Sequence, residues 1–269
     1  MRIYCALPFG SEFELQEHFY TERPAAYLPA HMVYRIRGSR LYFASGAANI
    51  RNGVMVISSA GYTGGAPVDG LLDDIAYEIK KRGFEGVVLD SGGAPDNASR
   101  GGKVSHDNDL SPLQTALAAR LVSALQPFPV YLPVRLASVV EGSVALIQTA
   151  LSGGELERHL SSAIERFDEN HIAVEVDRLR MDFTLPAATG IGENITPGHL
   201  ETLMENSRVF FSDDLYTNYF TYRESGMRHM VLFDDANSMR QKLNLAERRG
   251  IKRAFLYYPG VYDIIGELM

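Results

Sequence analysis

A carboxylate at the end of an apolar run is the strongest chemical signal in this chain. In Gly83-Phe84-Glu85-Gly86-Val87-Val88-Leu89-Asp90-Ser91-Gly92-Gly93 a glycine stops a helical pattern, a mostly apolar stretch follows, and Asp90 closes it before a glycine-rich loop. That is the order of a buried parallel strand that delivers an acid to its carboxyl end. An aspartate placed there can take a proton, stabilise a developing positive charge, or hook a hydroxyl group; capping the loop or a salt bridge to a neighbouring strand end is the plainer alternative. Tyrosines are the second resource: Tyr62, Tyr216, Tyr219, Tyr222 and the pair Tyr257-Tyr258. Their faces suit the C–H groups of sugar rings, although buried rings also dominate ordinary cores. The chain has no tryptophan, which weakens the sugar reading.

Other groupings carry less. His106-Asp107-Asn108-Asp109 has metal-capable side chains without the paired spacing of a metal site, so a solvated loop is the default. Gly92-Gly93 to Gly101-Gly102-Lys103 could cradle a phosphate, but neither a P-loop nor a dinucleotide fingerprint stands in the right place. Ser59-Ala60-Gly61-Tyr62-Thr63-Gly64-Gly65 would let a backbone pass close to a ligand, or simply turn. Asp213-Asp214 and Asp234-Asp235 read as helix or turn caps. No zinc-protease or nucleophile-elbow motif is present, and the lone Cys5 excludes an internal disulfide. No metal and no cofactor is expected.

Charge narrows the partners. There are 33 acidic residues against 26 basic, a net charge of −7. The one basic cluster, Lys80-Lys81-Arg82, falls in the last turn of a helical pattern, where cations complement the dipole. Nucleic acid is not expected as a partner on that balance. No apolar run approaches the roughly 20 residues that span a bilayer, and no signal-like apolar region opens the chain, so a soluble cytoplasmic protein is expected.

The elements that must position Asp90 follow an alternating beat. Strands are predicted over Met1–Pro8, Ala30–Ile36 (with a hairpin return at Arg37-Gly38-Ser39-Arg40) and Asn52–Ser59. Asp69 caps a helix that Gly83 ends; the Asp90 strand is the fourth. Ser111-Pro112 starts the next helix, which runs to about Leu125. Val130–Ala137 is strand five, with Pro133 a bulge or strand end, and Ser143–Ala150 is strand six. A helix over Glu155–Asn170 precedes strand seven, contained in Ile172–Leu185. Residues from about 187 to 234 break the beat with a Thr196-Pro197 helix start and a hairpin around Ser225-Gly226. Helix Asp235–Arg249 and strand Arg253–Tyr258 resume it. The economical architecture is α/β, a single (β/α)8 TIM barrel over 1–269 with a small helix-plus-hairpin insertion between strands seven and eight; a doubly wound open sheet is the rival.

Two stretches resemble glycoside hydrolase family 18, the chitinase-like barrels. Gly83 to Gly92 is similar to that family's fourth strand, G-F-D-G-[IV]-D-[LIF]-D-x-E. His229 to Gly260 resembles the end of its spore-associated branch, where a hairpin leads into F-x-D-A-x-S-[IM]-x-x-K-L, a helix and the last strand. Ser59-Ala60-Gly61 is similar to the family's S-x-G-G, and Tyr27 to Ile36 weakly to the branch's second strand.

The departures decide what the resemblance implies. The family's acid falls on Gly92, its middle Asp on Val88 and its first on Glu85; only the last Asp remains, as Asp90. Strand six reads Ile147-Gln148-Thr149-Ala150-Leu151-Ser152-Gly153 in place of M-x-Y-D, and Tyr257 stands for the last-strand tryptophan. The family's substrate-assisted chemistry, in which the Glu protonates the leaving oxygen, would not carry over. The expectation is a non-catalytic barrel binding a carbohydrate of N-acetylglucosamine type, or another small ligand, with Asp90 the surviving catalytic-motif residue and Tyr62, Asp96 and Tyr257 as ligand contacts. The alternatives are an active glycosidase with a relocated acid, Asp96 or Glu193, and a scaffold that binds nothing.

Overall fold

The computed structural model describes residues 1–8, 27–43, 50–64, 68–90, 111–187, 190 and 192–268. In chain order the strands of its first half are β1 (Arg2–Pro8), β2 (Tyr27–Arg37), β3 (Arg40–Phe43), β4 (Val54–Ser58) and β5 (Val87–Asp90). Then come β6 (Val130–Pro133), β7 (Val144–Gln148), β8 (Ile172–Glu175) and, much later, β14 (Arg253–Tyr257). The sheet runs β1-β14-β8-β7-β6-β5-β4-β2, every pair parallel, and β1 pairs with β2 to close it. This is a closed eight-stranded parallel barrel with helices, a (β/α)8 TIM barrel. Beyond the reach of β1, the antiparallel β3 lies along the end of β2, the expected hairpin, with Gly38 at φ 59° in its turn.

Alternation divides the buried strand residues into two sets. One points inward: Tyr4, Ala30, Val54, Val56, Val88, Tyr131, Val144, Leu146, Ala173 and Phe255 form a cluster of their own. Tyr4 stacks on Phe255 at 5.0 Å, and Tyr131 meets Phe255 edge-on at 5.1 Å. These three rings make the interior a packed core and not a pore. Below them the floor is polar: Arg2 pairs with Glu85 at 2.6 Å and the Tyr4 hydroxyl donates to the same carboxylate at 3.2 Å. Burial, then the neighbouring Tyr4, pushes the Tyr131 phenol above its ordinary range. The other set faces outward and joins the helices in the larger core, which includes Cys5, Ile57, Leu89, Leu132 and Ile147.

The helices are α1 (Asp69–Arg82), α2 (Pro112–Ala124), the single turn α3 (Val134–Ala137), α4 (Leu156–Phe167), α5 (Pro197–Met204), α6 (Ala236–Arg248) and the short α7 (Tyr258–Val261). Three details differ from expectation. Asp69 is the first helical residue and not its cap; its carboxylate meets Arg120 at 2.5 Å instead. Strand five ends at Pro133, since proline offers no donor to continue the ladder, and the chain turns into α3. The stretch holding strand seven splits, because only Ile172–Glu175 joins the barrel. Gly83, at φ 71°, closes α1 with its N–H on the Ile79 carbonyl as expected.

Between β8 and β14 stands a second sheet. It is five-stranded and antiparallel in the order β10 (Glu193–Asn194), β9 (Arg180–Leu185), β13 (Met227–Phe233), β12 (Thr217–Glu224), β11 (Phe210–Ser212). The hairpin turn at Ser225-Gly226 has positive φ at both residues, 51° and 80°. Helix α5, capped by the Thr196 hydroxyl on His199 N–H at 3.3 Å, lays Leu200 against Phe220, Val231 and Phe233. The first strand of this sheet begins at Arg180, ahead of the irregular stretch that marks the insertion in the sequence. Among the described residues no helix is long and apolar enough to cross a membrane.

Candidate functional site

Inward-facing residues at the carboxyl ends of barrel strands form the mouth. Asp90 lies two residues beyond inward Val88 and opposite Ser58 in the β4–β5 register. By the same alternation Pro133, Gln148, Glu175 and Tyr257 complete the ring. All six are accessible to some degree, Gln148 the most. In barrels this face carries the site, because the loops that follow the strands surround it.

Asp90 is held by its backbone. The Ser59 N–H and hydroxyl both donate to the Asp90 carbonyl, at 2.9 and 3.1 Å. Ser59 itself is buried, and Tyr62 N–H donates back to the Ser59 carbonyl at 2.9 Å. Gly61 completes the turn: a Cβ there would sit 2.3 Å from the Ile36 carbonyl oxygen. The Ser59–Gly61 turn is thus a clamp that fixes where strand four delivers its acid. Beneath Asp90 the inward position is Val88, only 8% exposed, so no second carboxylate of its own strand lies under it.

Sequence reasoning missed Glu175. It ends β8, faces inward, and accepts a hydrogen bond from the Gln148 side-chain amide at the end of β7. Its backbone carbonyl is fixed as firmly as that of Asp90, taking the Thr149 N–H and hydroxyl at 3.0 Å each. The available signal is the same as for Asp90, a short apolar run, Ile172-Ala173-Val174, closing on an acid. A strand placed no more closely than within Ile172–Leu185 hides that end.

The remaining sequence candidates scatter. Tyr257 joins the ring, in register with the small Ala6. Tyr62 packs against the outer core beneath the helices and not among the inward residues. Glu193 is exposed on the two-residue edge strand β10. Asp96, Gly92 and His106–Asp109 lie outside the described residues. On the small sheet, Tyr222 donates to Asp182 at 2.7 Å and His229 Nδ1 lies 3.1 Å from the same oxygen, a grouping satisfied within the sheet.

The stretch similar to F-x-D-A-x-S-[IM]-x-x-K-L builds structure. Asp234 is buried and receives the Lys242 ammonium at 2.6 Å, the Leu179 N–H at 3.0 Å, and the Thr217 and Ser238 hydroxyls at 2.8 and 2.9 Å. Asp235 caps α6 in a reciprocal box with Ser238. One network thereby ties the small sheet to the last barrel helix.

Solved structures with this architecture point one way. A chitinase from Chromobacterium violaceum superposes with a TM-score of 0.61 at 13% identity, over 95% of this chain and 93% of its own. The fold is that of the family 18 glycoside hydrolases. The spore cortex-lytic enzyme SleL of Bacillus cereus matches with a TM-score of 0.62 at 14% identity, covering 95% of this chain and 70% of that one. Human YKL-39, described as a pseudo-chitinase with retained chitooligosaccharide binding properties, matches with a TM-score of 0.56 at 11% identity over 95% and 92% of the two chains. No protein-family model matches the sequence, and no curated protein does. Of the two residues on which the sequence resemblance puts the first and middle motif acids, Glu85 lies in the barrel floor, paired with Arg2, and Val88 lies in the apolar interior. On the sixth barrel strand the inward positions are Leu146 and Gln148. The mouth can offer two carboxylates, an amide and a phenol as hydrogen-bonding groups, and one aromatic face.

Proposed function

We propose that this chain is a non-catalytic glycan-binding barrel that takes N-acetylglucosamine-type oligosaccharides at the carboxyl ends of its strands. One observation carries the reading: the position matching the family's proton donor is Gly92, while the mouth keeps an inward set of Asp90, Gln148, Glu175 and Tyr257. A glycine side chain has no proton to give, and losing a general acid costs about 10²–10⁴-fold in rate. Val88 in the interior removes a second motif acid. Carboxylates and an amide still suit sugar hydroxyls, and the Tyr257 ring suits a pyranose face. Human YKL-39, on the same fold, is a precedent for binding by a pseudo-chitinase.

Calorimetric titration with N-acetylglucosamine oligomers, followed by chromatography of the same samples, tests this. Binding without cleavage is expected, weakened in Tyr257→Ala and in Asp90→Asn. Rapid hydrolysis by the wild-type chain would overturn it.

A second reading is favoured by Glu175 alone. With Asp90 it would supply the two carboxylates that glycosidases use, one on the fourth strand and one on the seventh. A bell-shaped pH–rate profile lost in both Asp90→Asn and Glu175→Gln would put this reading in place of the first.

A further inference from the structure

Arg180 stands out among the charged residues near the mouth. It opens β9, five residues after Glu175, and its backbone is already engaged: its carbonyl accepts the Ile195 N–H at 3.2 Å and it stands in register with Phe233. Its guanidinium is partly buried and makes no hydrogen bond or ion pair among the described residues. Five N–H donors taken partly out of water without an acceptor carry a free-energy cost.

The surroundings sharpen this. Arg178, two residues earlier, is already paired, with Nε on the Asp234 carbonyl at 3.0 Å and Nη1 on the Asp263 carboxylate at 2.7 and 2.8 Å. Asp263 is thereby matched to Arg178 and reaches Arg180 only through its longer-range field. Burial and the like charge of Arg178 both make the charged form of Arg180 less favourable than in water. An arriving anion would relieve both. Arg178 and Arg180 follow β8 and Asp263 follows β14, adjacent strands of the barrel, so the segments that carry them leave the strand ends on the face that holds the mouth.

We infer that Arg180 is a carboxylate-reading subsite at the rim of the barrel, selecting glycans that carry an acidic sugar. The planar guanidinium fork takes a carboxylate two bonds at a time, and a carboxylate is the anion that an acidic sugar carries. The inference deepens the glycan-binding reading and rests on it for the nature of the ligand.

The test compares a neutral N-acetylglucosamine oligomer with the same oligomer oxidised at C6 to carboxylates. The wild-type chain should bind the carboxylated form about tenfold more tightly at low salt, a preference that shrinks as salt is raised. Arg180→Gln should abolish the preference, leave neutral-oligomer affinity unchanged and melt no lower than wild type. Arg180→Lys, which keeps the charge without the fork, should retain only part of it. Independently, sodium acetate should shift the Arg180 Nε–H resonance saturably. Equal binding of the two oligomers, or a preference that survives in Arg180→Gln, overturns the inference and leaves the glycan reading standing. Acetate saturation with no oligomer binding keeps the carboxylate subsite and removes the glycan reading. Failure of both overturns both.

Discussion

Replacing Lys242 by methionine tests whether the family-like stretch after the hairpin carries fold or chemistry. Lys242 and Asp234 are both fully buried side chains, 2.6 Å apart. Methionine preserves most of the volume and removes the charge, leaving the Asp234 carboxylate inside the protein without its cation. Breaking a buried pair from one side costs about 3–5 kcal/mol. Asp234 would keep three donors, the Leu179 N–H and the Thr217 and Ser238 hydroxyls, so the lower end, about 3 kcal/mol, is expected. Against a typical total of roughly 5–15 kcal/mol this is a large loss, read as a lower midpoint in urea unfolding at neutral pH. Adding Asp234→Asn to Lys242→Met should recover part of it, because no charge is then left unpaired. Oligosaccharide affinity of the folded variant should stay at the wild-type value. A loss below about 1 kcal/mol would refute the structural account, since an ion pair that can be halved so cheaply is not shielded from water.

Two further perturbations follow from the described packing. His31 is buried against Phe84 at 5.7 Å, and its pKa falls from 6.5 to about 4 because burial disfavours the imidazolium. The backbone at Arg51 and Asn52 pulls the value part of the way back, yet neither ring nitrogen completes a hydrogen bond among the described residues. The unfolded chain therefore binds the extra proton between those two pH values. The stability contributed by neutral His31 is complete above pH 6.5 and is lost progressively down to pH 4, by roughly 3 kcal/mol. Urea midpoints at pH 7 and 4.5 should converge in His31→Leu relative to wild type; an unchanged pH slope would exclude His31 as its source. At Gly86 a Cβ would lie 2.8 Å from the Pro129 carbonyl oxygen, at the start of the Asp90 strand. Gly86→Val should cost about 1–3 kcal/mol in thermal unfolding, and a neutral result would mean that β5 and β6 can separate at no cost.

Much of the barrel is legible in the sequence because its signals are local. Gly83 after an amphipathic helix, Ser111-Pro112 before another, and Ser225-Gly226 between alternating runs each specify backbone conformation within a few residues. Pro133 signals a strand end or a bulge, and the structure chooses the strand end. The division of Ile172–Leu185 between two sheets is not legible, since both halves have strand-forming composition and only their partners differ.

The candidate site divides along the same line. By itself the sequence determined the run that ends on Asp90, the glycine where the family resemblance would place a proton donor, and the sugar-compatible Tyr257. Which residues share the mouth was decided by tertiary structure. A strand buried on both faces reads as continuous apolar sequence, so inward and outward positions are told apart only once the barrel closes. Closure set Glu175 beside Gln148 and turned Tyr62 into the outer layer. It buried Asp234 against a lysine eight residues on, and left Arg180 beside an arginine already matched to Asp263. Each of these depends on how strands and helices register against one another, set by hydrogen-bonded neighbours that local sequence does not name.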